Sequence, residues 1–215
     1  MSSFGGRSFE EVVRGRRMTR AFRTDPLPAG MLDELIDLAS RAPSAGKTQG
    51  WHAVALEGDQ TSTFWDITLP EPRRSTFRWQ RLPDAPVILL PFADPQAYVD
   101  RYAEPDKART GLGSGTDAWP VPYWTIDTSM AVMNLLLAAE DAGLGALFFG
   151  VFRGEEQLRA AIGVPARLQL LGAVALGYPA GDHDGAGRSS GRARRRPDEI
   201  IHRGRWSHPP AADGR

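Results

Sequence analysis

Between Asp127 and Gly143 the chain carries Met130, Met133, Leu137 and Ala138 in an almost continuous apolar run at helical spacing. A helix that is apolar over so much of its circumference has to be covered on more than one side, so it sits in the middle of whatever fold forms. Asp127 reads as its N-cap and Gly143 as its stop. Other apolar segments must then cover it. Trp51–Leu56 alternates as a strand does, and Ala85–Ala93, Ala146–Phe152 and Gln169–Leu176 are short apolar runs suited to buried strands. Shorter amphipathic patterns at Ser8–Arg17, at Met31–Ala39 and near Glu155–Ile162 read as helices. This order is not a regular βαβ alternation and predicts an α+β fold.

With 215 residues, 41% of them hydrophobic, one domain can bury a substantial core. A single domain over 1–215 is expected, with a core from about residue 8 to 206, a variable excursion over 94–125, a linker over 181–191 and a disordered tail over 207–215. Residues 1–20 are polar and Arg-rich, unlike a secretory signal, and no run of about 18 apolar residues could span a bilayer. A cytoplasmic protein with no membrane partner is the expectation. The absence of cysteine excludes disulfides, thiolate metal sites and cysteine nucleophiles. His52, His183, His202 and His208 are scattered, so no metal site is expected.

Lys and Arg together number 26 and so do Asp and Glu, so the net charge is zero and no global field favours nucleic acid. The zero conceals segregation. Residues 1–24 hold six Arg against two Glu, a net of +4; residues 188–205 hold seven Arg against Asp198 and Glu199, a net of +5; the remainder is −9. The two basic ends read either as solvated tails or as two halves of one anion-binding site.

Two glycine motifs point away from nucleotide triphosphates and dinucleotides. Ser44-Ala-Gly-Lys-Thr48 ends like a phosphate loop, but Arg41 stands where the first glycine belongs, and the segment follows a helix instead of a strand. Gly111-Leu-Gly-Ser-Gly115 lacks dinucleotide spacing and reads as a mobile loop.

Three further elements occur in order: Arg16-Arg17-Met18-Thr19-Arg20, then Pro43-Ser44-Ala45-Gly46-Lys47-Thr48-Gln49-Gly50-Trp51, then Arg194-Arg195-Arg196-Pro197. Together they resemble the nitroreductase family of flavin enzymes over most of the chain, from about Phe9 to Trp206. That resemblance implies a sandwich with a central, mostly antiparallel sheet flanked by helices, and a domain-swapped homodimer holding FMN at its interface. It implies flavin-binding roles for Arg16, Arg17, Met18 and Arg20, with Met18 in place of the family's serine. It implies that Pro43, Ser44, Ala45, Lys47 and Gln49 form the loop the partner subunit lays against the flavin, with Lys47 in place of asparagine. Phe149 and Gly150 fall at the segment facing the hydride-accepting nitrogen. Arg194 and Arg195 match a phosphate clamp, and Arg81 a cation at the pyrimidine edge.

Flavin chemistry needs a phosphate clamp, a cation near the pyrimidine and an open stacking face, with no obligatory side-chain acid, base or nucleophile. The aromatic stretch with Trp119, Tyr123 and Trp124 is a candidate wall for that face, or else an ordinary packed loop. The implied activity is NAD(P)H-dependent, ping-pong reduction of nitroaromatic, quinone or other small conjugated acceptors. Two alternatives stay open: action on an acidic or large cofactor-like substrate, such as one related to deazaflavin maturation, and a non-catalytic flavin-binding or storage protein.

Overall fold

A computed structural model describes residues 5–181 and 191–206. The chain divides into two units, Met1–Asp184 and Gly185–Arg215. Most of the expected linker (182–190) and the expected tail (207–215) lie outside the described residues.

In the first unit, α1 (Phe9–Gly15) starts at Ser8, whose hydroxyl accepts from Glu11 N while the Glu11 carboxylate accepts from Ser8 N, a reciprocal cap. Next come α2 (Met31–Ser40), β1 (Trp51–Glu57), α3 (Thr61–Thr68), α4 (Glu71–Arg74), β2 (Val87–Ala93) and α5 (Pro95–Ala103). The central α6 (Tyr123–Asp141) is followed by β3 (Gly145–Phe149), α7 (Glu155–Ala161), β4 (Gln169–Leu170) and β5 (Ala173–Gly177). The sheet order is β1-β2-β5-β3, with β4 also paired to β2, and every pairing between these strands is antiparallel.

The period-two geometry of β2, which is buried throughout, divides its side chains between two cores. Val87 and Leu89 join Val174 and Leu176 of β5 in packing against α2 and α6 through Leu35, Leu135 and Ala139. Ile88, Leu90 and Phe92 pack on the other face with Phe64 of α3 and Leu158 of α7. The sheet is thus the middle layer of an α+β sandwich, with the expected central helix on one face.

Several elements depart from the sequence expectation. α6 begins four residues before Asp127, behind Pro122, so Asp127 is not an N-cap; it is buried inside the helix. The expected strand over 169–176 is two strands. Gly172 separates them at φ 144°, where a Cβ would come within 2.5 Å of the Phe149 carbonyl oxygen. β3 ends at Phe149, short of Phe152. The excursion over 94–125 contains α5, capped by Asp94 with Pro95 at its first position. Its glycine segment is not a free loop: Gly113 lies so close to α5 that a Cβ would be 2.5 Å from Ala103 N.

In the second unit, Pro197–Glu199 forms a single 3-10 turn. Arg196 pairs with Asp198, and the Arg195 guanidinium donates to the Glu199 carbonyl.

Candidate active site

The segment after α1 runs along the free edge of β3. Met18 bridges Ala146 in parallel, and Thr19 N donates to the Ala146 carbonyl at 2.9 Å. This pairing fixes the direction of the basic element. Met18 is partly buried and packs against the cores on both sheet faces. Arg20 turns its guanidinium back to the Met18 carbonyl at 2.8 Å and lies 5.2 Å from the centroid of the Trp79 ring. Arg17 is exposed. Arg16 Nη1 is buried without a hydrogen-bond partner among the described residues. A buried, unpaired guanidinium nitrogen is costly unless an anion answers it.

Arg20 also lines a cavity of about 510 Å³ at the end of β3, a size suited to a small-molecule ligand. Its walls include Phe64, Trp65, Phe77, Trp79, Phe148 and Phe149, with Gly150 and Phe152 at the end of β3. Phe149 stacks on Trp65, with planes 7° apart and centroids at 6.1 Å. The Phe152 ring, 92% exposed, folds over Gly150, where a Cβ would stand 2.7 Å from it. Among the described lining residues the charged ones are Arg20 and Arg153, so the cavity combines flat apolar walls with positive charge. That is the surface required by a planar, electron-rich ring system carrying negative charge.

The loop before β1 is built separately. Gly46, Lys47 and Gln49 all adopt left-handed backbone, with φ of 62°, 56° and 54°. Two non-glycine residues in that region within three positions constitute local strain. Lys47 keeps a conformation that asparagine tolerates best, so relative to the family's asparagine it changes the side chain and its charge, not the backbone. Lys47, Pro43 and Gln49 are exposed, while Ser44 and Ala45 are half-buried. The loop is held by Ser44 Oγ accepting from Gln49 N at 3.0 Å, by Arg101 Nε donating to the Gly46 carbonyl at 2.9 Å, and by Asp127 Oδ2 accepting from Ala45 N at 2.8 Å.

Trp119, Tyr123, Trp124 and Arg81 are not among the residues that line the cavity. Trp119 and Trp124 are buried with Tyr98 in a third cluster, their indole N–H groups donating to the Leu112 carbonyl and to Gln169. Trp119 packs in the segment before α6 and Trp124 in the first turn of that helix, and neither is a lining residue of the cavity. Tyr123 is partly exposed, its ring centroid 5.6 Å from that of Trp119. Arg81 pairs with Asp84 at 3.0 Å and gives its carbonyl to Phe22 N, and it is not a lining residue. Arg194 and Arg195 are exposed and belong to the second unit. The basic element follows the β3 edge while the strained loop leads into β1 at the other edge. Three strand spacings of about 4.8 Å, roughly 14 Å, separate β1 from β3, and the basic element lies one spacing beyond β3.

A family model described as the nitroreductase family matches residues 13–178. The chain belongs to the nitroreductase family. A Thermus thermophilus protein named NADH dehydrogenase is 31% identical over 77% of this chain and 83% of its own length. An Archaeoglobus fulgidus protein assigned as NADH dehydrogenase/NAD(P)H nitroreductase is 27% identical over 91% of this chain and 97% of its own. The fold matches a nitroreductase-like protein of Exiguobacterium sibiricum solved in complex with FMN, with a TM-score of 0.71, 18% identity and coverage of 96% and 100%.

The cavity of this nitroreductase-family chain is lined in part by residues that no motif in the sequence singles out. Phe64, Trp65, Phe77 and Trp79 come from a stretch without clear periodicity, and an excess of aromatics there was the one available signal. Asp127, expected as an N-cap, is instead a buried acceptor within α6. Among the described residues no group of three His, Asp or Glu is placed to hold a metal, and no helix is long and apolar enough to cross a membrane.

Proposed function

We propose that this protein is a homodimeric, FMN-dependent oxidoreductase that takes reducing equivalents from NAD(P)H and delivers them to a small conjugated acceptor such as a nitroaromatic or a quinone. The observation that carries the reading is the buried Arg16 Nη1, without a hydrogen-bond partner among the described residues, on the same edge segment as Arg20 and its aromatic cavity. The residues fit the cofactor: Arg16 would answer the phosphate, and the rings of the cavity would cover the isoalloxazine. Bound FMN supplies the chemistry by accepting a hydride from NAD(P)H and passing reducing equivalents to the acceptor.

The chain's own groups bind, orient and exclude water. Arg20 places a fixed positive charge where negative charge grows as the ring is reduced, which lowers the barrier electrostatically. Phe148, Phe149 and Gly150, which line the cavity at the end of β3, would face the bound ring. NAD(P)H leaves before the acceptor enters, so the kinetics are ping-pong. Membership of the nitroreductase family and the NAD(P)H named for the Archaeoglobus relative support the donor.

The strained loop completes the site from the second subunit, because in one chain it leads into the edge of the sheet opposite Arg16 and Arg20. The cytoplasm, where NAD(P)H is available, is the proposed location.

Stopped-flow mixing of the FMN-loaded protein with NADH and with NADPH, without oxygen, tests the reading. Bleaching of the flavin band much faster than that of free FMN is expected with at least one donor. Bleaching no faster than free FMN with either would reduce the protein to a flavin-binding or storage role.

A further inference from the structure

Asp127 is an unusual residue to find in α6: a buried carboxylate, 6% exposed, in a helix whose inward face is otherwise largely apolar. Burying a carboxylate costs free energy unless hydrogen bonds compensate. Here both compensating donors fall on one oxygen, since Ala45 N and Tyr98 Oη each donate to Oδ2 at 2.8 Å. The remaining space beside it, bounded by Ser44, Gln49, Tyr98 and Ala131, is only about 10 Å³. Tyr98 is itself fully buried, so its hydroxyl is a fixed donor that aims the carboxylate.

What the carboxylate holds is Ala45, next to the three left-handed positions of the same loop, Gly46, Lys47 and Gln49. Strain of that kind persists only where surrounding contacts over-determine it. Thr48 Oγ1 and Ser44 Oγ close the loop on itself, and Arg101 holds the Gly46 carbonyl. Asp127 ties the loop to the central helix.

We infer that Asp127 is a positioning residue, a buried anchor on α6 that fixes the Ser44–Gln49 loop so that it can cover the flavin bound by the other subunit. This rests on the proposed function and assigns Asp127 no contact with flavin or substrate.

Two variants break the same hydrogen bond from opposite sides. Asp127→Ala removes the acceptor. Ala45→Pro removes the N–H at a position whose preceding residue, Ser44, already has the extended backbone proline requires, φ −138° and ψ 145°, and it leaves α6 untouched. Asp127→Asn retains a carbonyl oxygen with two lone pairs, enough for both donors. Fluorescence titration is expected to give FMN dissociation constants raised about tenfold or more in Asp127→Ala and Ala45→Pro, and within about threefold of wild type in Asp127→Asn, because a lost acceptor costs far more than a weakened one.

Co-purified mixed dimers of Asp127→Ala and Arg16→Ala protomers are expected to regain one tight FMN site per dimer, since the intact loop and the intact clamp then meet across the interface. If Asp127→Ala does not fold, Ala45→Pro takes its place in the mixture. Wild-type protein that binds no FMN sinks the proposed function. Wild-type protein that binds FMN while both loop-releasing variants bind it equally well, or mixed dimers without a tight site, overturns the role of Asp127 alone.

Discussion

Arg16 and Tyr98 show how single groups constrain the account. A hydrogen bond to a charged group contributes about 1.5–3 kcal/mol, so Arg16→Ala is expected to raise the FMN dissociation constant roughly 10- to 150-fold in a fluorescence titration. An unchanged constant would mean that its buried Nη1 serves no bound anion. Burial first, and then the hydrogen bond to Asp127, push the Tyr98 phenol well above its ordinary value of 10.0. A raised folded pKa gives stabilisation that is complete below the unfolded value and declines as pH rises past it. Wild-type unfolding free energy is therefore expected to fall above about pH 10, and to fall less steeply in Tyr98→Phe when denaturant melts are compared at pH 8 and at higher pH. Arg16 and Arg20 were legible in the sequence because they stand four residues apart on one segment. The role of Asp127 was not, because an aspartate before an apolar run looks the same whether it caps a helix or answers donors from residues 45 and 98.

The elements that could be read were those whose periodicity met a core. α2, α7 and β1 fall close to where their patterns place them, as does β2 with its buried run between Val87 and Ala93. α5 was hidden because only Pro95 and Tyr98 of its nine residues are buried, although Asp94-Pro95 carried a start signal. The division between β4 and β5 was hidden in one backbone angle at Gly172. Gly172→Ala would put a side chain at φ 144° and a Cβ 2.5 Å from the Phe149 carbonyl oxygen. A cost of about 1–3 kcal/mol follows from such crowding, and at about 2–4 °C per kcal/mol the melting temperature should drop by several degrees. Because Phe149 lines the cavity, FMN affinity is expected to fall with it. A melting temperature equal to wild type would show that the β4–β5 break is not enforced by that glycine.

For the whole molecule, the informative fact is that one chain starts the basic element and the strained loop from opposite edges of its sheet. α6 leaves Ile126 and Met133 on its surface, with Val121 and Tyr123 just before or at its start, and α1 exposes Phe9 and Val13. Ile126 and Met133 are seven residues apart, two helical turns on one face. A charge there is expected to oppose burial against a second copy, so Met133→Asp should shift the protein from dimer to monomer in sedimentation velocity and release flavin with it. A dimer that persists with flavin retained would place the interface elsewhere. The zero net charge of the sequence also resolves into parts: one basic end follows the β3 edge of the first unit and the other belongs to the second unit.

The central claim, that these residues bind FMN and use it, is tested most directly by the visible absorption spectrum of the purified protein before and after anaerobic NAD(P)H, with mass identification of the chromophore released on denaturation. The account predicts a yellow protein that releases FMN and bleaches faster than free flavin. A colourless protein that also fails to take up added FMN would contradict it.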